Sequence, residues 1–203
     1  LKALVEDAPS EQRPITRGRA LALCGAGMLA LAKLAKDVDA KAQARTLLDA
    51  AADQITMDHS PLDWSVIQLM RAKIDEAQPL MTLIQVEALT EDHGLILGAE
   101  ARERRLAHEI HETEAARDLV GLRLLEARIL SRLYEQSPRL TPLDWAANQI
   151  ALAQISLARS RLTGEGLGQV GMVLIEAADT ARSMGAISLA DRARDLLPHP
   201  QTV

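Results

Sequence analysis

An all-α fold of antiparallel helix hairpins is predicted by three features: a core composition almost without aromatics, a segment that returns after 81 residues, and regularly spaced turn signals. Hydrophobic residues make up 48% of the 203, yet Phe is absent, Tyr occurs once and Trp twice, so the core must be Leu, Ala, Ile, Val and Met. Ala and Leu lose little side-chain entropy in a helix, whereas a sheet protein would carry more aromatic and β-branched residues.

The repeat is Pro61-Leu62-Asp63-Trp64-Ser65-Val66-Ile67-Gln68, which returns as Pro142-Leu143-Asp144-Trp145-Ala146-Ala147-Asn148-Gln149 and contains both Trp residues. Each copy reads as a helix start. Ser60 or Thr141 can cap the free amides, Pro in the first turn loses no hydrogen bond, and Asp favours the positive end of the helix dipole. Upstream, Leu47-Leu48-Asp49-Ala50 resembles Leu124-Leu125-Glu126-Ala127, with the second connection four residues longer. The interval holds two units of about 40 residues, the size of a helical hairpin repeat.

Helices are expected over 16–36, 40–56, 62–77, 80–92, 95–112, 114–136, 142–162, 167–184 and 186–197, with 1–15 irregular and 198–203 a tail of one domain spanning 1–203. After the two starts, Ile67, Met70, Ile74 and Ala77, then Ala146, Ile150, Ala153 and Leu157, recur at helical spacing. Gln78-Pro79, His93-Gly94, Ser137-Pro138, Gly164-Glu165-Gly166 and Gly185 mark the breaks. None supports a break at Thr113, where one long helix from Ala99 to Gln136 is the other reading.

On these residues the chain resembles a divergent bacterial tetratricopeptide repeat protein of the kind with Pro-Leu-Asp-Trp repeat starts. The repeat's small residue survives as Ala in Arg71-Ala72 and Leu152-Ala153, while its large aromatic is missing. An earlier unit fits by spacing alone, with Met28, Leu31, Ala32 and Ala35 followed by Ala44, Leu48 and Ala51. The resemblance implies a right-handed solenoid of about four hairpins plus a C-terminal capping helix. It also implies Pro61, Asp63, Trp64, Gln68, Pro142, Asp144, Trp145 and Gln149 as structural anchors of the repeats. Function follows as a non-catalytic scaffold that holds a peptide or protein in a concave groove. Extending the family's geometry, the groove carries Leu29, Lys33 and Lys36, then Val66, Leu69, Lys73 and Glu76, then Ile150, Gln154, Leu157 and Arg161. Lys33, Lys36 and Lys73 suggest an acidic partner segment.

A net charge of -5 provides no excess of cations for a nucleic acid backbone. One Cys, Cys24, leaves no disulfide framework and fits a reducing compartment, so a cytoplasmic protein without a membrane partner is expected. Arg17-Gly18-Arg19 before the apolar run Ala20 to Ala32 has the order of a secretory signal. The run reads as a buried first helix, because nineteen residues precede it and it is too short to span a bilayer. Since the chain opens on Leu1 rather than Met, targeting information upstream stays open.

No residues stand out as catalytic, and no cofactor or metal is expected. His108 and His111 lie three apart on one helix face but lack the His-Glu-x-x-His spacing, and eight acidic residues interleave with eight Arg from Ala99 to Arg139. Leu106 to Ile110 is similar to the phosphoacceptor box of sensor histidine kinases. It keeps a second function class open, a degenerate helical dimerisation or phosphotransfer module centred on an unbroken His108 helix. Gly166-Leu167-Gly168-Gln169-Val170-Gly171 matches a dinucleotide fingerprint by letters, but a helix precedes it where a phosphate loop needs a strand. Cys24, in an apolar helix, reads as core.

Overall fold

The computed structural model describes residues 13–74, 80–90 and 95–197, and every regular element among them is an α-helix. In chain order these are α1 (Pro14–Ala35), α2 (Val38–Gln54), α3 (Pro61–Ile74), α4 (Leu80–Thr90), α5 (Leu95–Ala115), α6 (Leu119–Tyr134), α7 (Pro142–Thr163), α8 (Val170–Ser183) and α9 (Ile187–Asp195). They group into two compact units, Leu1–Leu97 and Gly98–Val203.

In the first unit, α1 and α2 form a close hairpin. One face of α1 holds Gly18, Leu21, Ala22 and Gly25, and the facing row on α2 is Ala44, Leu48 and Ala51, completed by Ile55. A Cβ on Gly18 would fall 2.5 Å from Ile55 Cγ1, and one on Gly25 would fall 2.8 Å from Leu48 Cγ. Glycine lets the two helices close there, because a side chain added at either position would have to displace Ile55 or Leu48. Ile67 and Ile74 of α3 close this core, with Trp64 and Met70 partly buried against it. The hairpin departs from the expected spacing on α1: Leu31 and Ala35 are exposed, and the packed face lies one turn and more upstream.

The second unit has two clusters. Leu106 and Ile110 of α5, Leu122 and Ile129 of α6, and Ala151, Ile155 and Ala158 of α7 make one. Trp145, Ala146, Ile150 and Ala153 of α7 join Leu174, Ala177, Ala178 and Ala181 of α8 and Leu189, Ala190 and Ala193 of α9 in the other.

The helix starts recur more regularly than the repeat motif alone indicates. Pro14, Val38 and Pro61 return as Leu95, Leu119 and Pro142, each 81 residues on. The corners recur with them. Lys36 (φ 53°) precedes Asp37, whose carboxylate accepts from the amides of Asp39 and Ala40, and Arg117 (φ 55°) precedes Asp118, which accepts from Gly121 N. A left-handed residue followed by an Asp cap stops one helix and starts the next.

Three expectations are corrected here. The chain breaks at residues 116–118, so α5 and α6 are separate helices and the reading of one helix from Ala99 to Gln136 does not hold. Its signal is the Arg117–Asp118 corner, which lacks the Gly or Pro that would have advertised it. The Leu-Leu-acid-Ala match is also out of register: with starts 81 apart, Leu48 corresponds to Ile129, both buried, while Leu124 is 67% exposed. Finally, neither hydroxyl caps as expected. Ser60 Oγ donates to Asp63 Oδ2, and Thr141 makes no side-chain cap bond; its Oγ1 accepts from Ser137 N.

Trp145 is buried and Trp64 half-buried, although both amides close the same first turn, onto Ser60 O and Thr141 O at 2.9 Å. Replacing Trp145 by Ala is expected to cost about 3–5 kcal/mol in urea unfolding, and Trp64→Ala measurably less, because more of the Trp64 ring already meets water. Equal losses would contradict this difference in packing.

Candidate functional site

The Asp of each helix start is the first group with chemistry to account for. Asp63 receives Arg19 of α1 through Nε at 3.0 and 3.1 Å and Nη2 at 2.7 Å, and Asp144 receives Arg102 of α5. The expected role at the helix dipole is thus joined by a clamp to the helix two earlier in the chain. Hydrogen bonding from Arg19 holds the Asp63 carboxyl below its ordinary range, and the Arg19 guanidinium is raised in turn. The sequence carried one hint, an Arg 44 and 42 residues before the two Asp.

A second polar group lies inside the second unit. Glu103 of α5 is 2% exposed, and its Oε1 accepts from Gln154 Nε2 at 2.6 Å and Arg192 Nε at 3.1 Å. Beside it, burial pushes the Arg104 guanidinium below its usual value against the opposing pull of Glu103. Asn148 Nδ2 donates to Gln136 Oε1 at 2.8 Å, while Asn148 Oδ1 is buried without a partner among the described residues. A carboxylate held by an amide and a guanidinium is a structural crosslink between α5, α7 and α9, its charge compensated where water is excluded.

The expected groove residues divide. Leu69, Ile150 and Gln154 are buried, which corrects their assignment to a solvent-facing groove: Leu69 and Ile150 fill the interior, and Gln154 is bonded to Glu103. Arg161 binds Glu114 through two bonds of 2.5 and 2.7 Å, and this pairing raises the guanidinium and lowers the carboxyl. Lys33, Lys36 and Lys73 are exposed and Leu29, Val66 and Leu157 half-buried; Glu76, with Ala77, lies outside the described residues. Lys36 stands at the left-handed corner after α1 rather than on the helix. Of the anchors, Gln68 is buried, whereas Pro61 is exposed and Gln149 and Pro142 are half-buried. Ala72 and Ala153, the small positions of the repeat, are both buried.

His108 is half-buried and His111 exposed, and Glu109 between them is taken by Arg105 and Arg128. Among the described residues no three His, Cys, Asp or Glu come together as metal ligands. The glycine loop runs from the end of α7, where Gly164 (φ 76°) stops the helix, through Gly168 (φ 53°) to α8. A helix enters it, and a Cβ on Gly166, Gly168 or Gly171 would meet no neighbour. Cys24 is buried in α1. That helix is 22 residues long, longer than the apolar run inside it, and by length and composition long and apolar enough to cross a membrane; only 28% of its most apolar stretch is buried, which corrects the reading of the run as a buried first helix. Compared with protein-family models, curated proteins and solved structures, the chain matches none.

Two outcomes follow from the polar contacts. Glu103→Ala leaves the Gln154 amide unpaired inside the unit and should lower unfolding free energy by about 1–3 kcal/mol in urea titration, with a loss under 0.5 counting against the crosslink. For Asp63 the folded pKa lies below the unfolded value of about 3.9. Its contribution is complete above that value and is lost as pH falls through the folded pKa. Asp63→Asn should therefore lose less stability than the wild type between pH 5 and pH 2, and parallel pH profiles would contradict the clamp.

Proposed function

We propose that the protein is a non-catalytic interaction scaffold, a right-handed solenoid of antiparallel helix hairpins akin to tetratricopeptide repeats, which holds a peptide or protein partner. The observation that carries this reading is the 81-residue recurrence of three helix starts, with the same corner and the same Asp–Arg pairing in each unit. Recurrence of that kind is how a chain makes an extended surface from a small module.

The polar contacts between helices favour the same reading. Glu103, Gln154, Asp63 and Asp144 bond groups of neighbouring helices, and those bonds position helices rather than a reacting molecule. The partner surface consists of the accessible members of the implied groove in the first unit, Leu29, Lys33, Lys36, Val66 and Lys73. Cations on a net acidic chain steer a carboxylate-bearing segment, while Leu29 and Val66 provide apolar area.

Affinity capture with the full chain, followed by binding measurements on the purified partner, tests this. Reversing Lys33, Lys36 and Lys73 to Glu should weaken binding by about tenfold at low salt and by less at high salt, as screening reduces each contact. Unchanged affinity would overturn the acidic-segment reading.

A further inference from the structure

The outward face of α1 is apolar and uncovered. Leu23, Gly27, Ala30 and Leu34 follow at helical spacing and all are exposed, Leu34 to 86%, with Leu31 beside them at 47%. Only 28% of the helix's most apolar stretch is buried. The covered side is the Gly18–Gly25 face, closed against α2. Leucines on successive turns facing water are unfavourable unless something covers them.

The charges on α1 say what covers them. Between Arg13 and Lys36 there is no Asp or Glu, while Arg13, Arg17 and Arg19 stand at one end and Lys33 and Lys36 at the other. Arg19 is held by Asp63, and Asp37 and Asp39 follow the helix, with the Asp37 carboxylate used as a cap. An apolar face with cations at both ends suits an anionic lipid interface: the leucines enter the acyl boundary and the cations reach headgroup phosphates. From Ala20 to Ala32 no charged side chain interrupts the stripe, so nothing in it would fix the register of a partner helix, and a fluid lipid surface requires none. Lying flat also preserves the Gly18 and Gly25 contacts with α2, which crossing the bilayer would break.

We propose that the exposed face of α1 docks the protein on an anionic membrane surface through Leu23, Leu31 and Leu34, with the terminal cations on lipid phosphates. Its leucines are distinct from the partner surface, whose row one residue round the helix is Leu29, Lys33 and Lys36, and the two lysines at that end are common to both.

Flotation of the purified full chain with lipid vesicles tests the proposal. The protein should float with phosphatidylcholine vesicles containing about a third phosphatidylserine, not with phosphatidylcholine alone, and less at about 0.5 M salt. The double variant Leu23→Glu/Leu34→Glu should bind at least about tenfold more weakly. Its thermal melt should match the wild type, because both side chains are exposed. No flotation with the anionic vesicles, or equal flotation of the double variant, overturns the proposal. So does a wild-type dimer in analytical ultracentrifugation that the double variant abolishes without any vesicle binding, which would assign the face to a second copy. Failure here leaves the Lys33, Lys36 and Lys73 test of the scaffold standing.

Discussion

With no Phe and with alanine the commonest buried residue among those described, burial in this protein depends on how closely helix backbones approach. Ala44 and Ala51 in the first unit, and Ala146, Ala147, Ala151, Ala158, Ala177, Ala178 and Ala181 in the second, are all buried at helix interfaces. An Ala removes little apolar area by itself, so stability must come from many short contacts, each steeply dependent on distance. Gly18 and Gly25 take this constraint to its limit, since α2 occupies the volume a methyl group would need. The larger side chains, Leu48, Ile55, Leu106, Ile129 and Trp145, fill what the small residues leave open.

Close approach alone does not fix helix order or register, and the polar contacts contribute that. Arg19–Asp63 and Arg102–Asp144 each tie a unit's third helix to its first, and Glu103 joins α5 to α7 and α9. The exposed Arg19–Asp63 pair contributes little net free energy and Arg102–Asp144 is part-buried, but both penalise any arrangement that separates them. The buried Glu103 is the stricter case, because an alternative packing would leave a carboxylate without its donors away from water.

The same composition explains why apolar helix faces remain outside. A chain that is apolar in nearly half its residues and folds into small helical units has more hydrophobic surface than its interior can take up. On α1 that surplus forms a continuous stripe; on α6, Val120 and Leu124, one turn apart, are exposed as well. In the proposed reading such faces serve interaction, with a protein partner beside the lysines and lipid along the leucines.

The sequence by itself determined the helical class, because Ala and Leu content, Pro-Leu-Asp-Trp starts and glycine stops act locally, within a turn or two of each residue. It also located most helix boundaries among the described residues, including the starts of α3 and α7 and the Gly164 stop. It could not locate the Arg117–Asp118 corner from composition, since a left-handed Arg looks like any other Arg until a neighbouring helix selects that backbone. Nor could it distinguish the solvent side of a helix that is apolar all round. Leu31 and Leu34 ended outside while Leu21 and Leu48 ended inside, and Leu69, Ile150 and Gln154 turned inward, away from the expected groove. Those choices belong to the tertiary structure: periodicity gives a helix its faces, but contact with another helix decides which of them is buried.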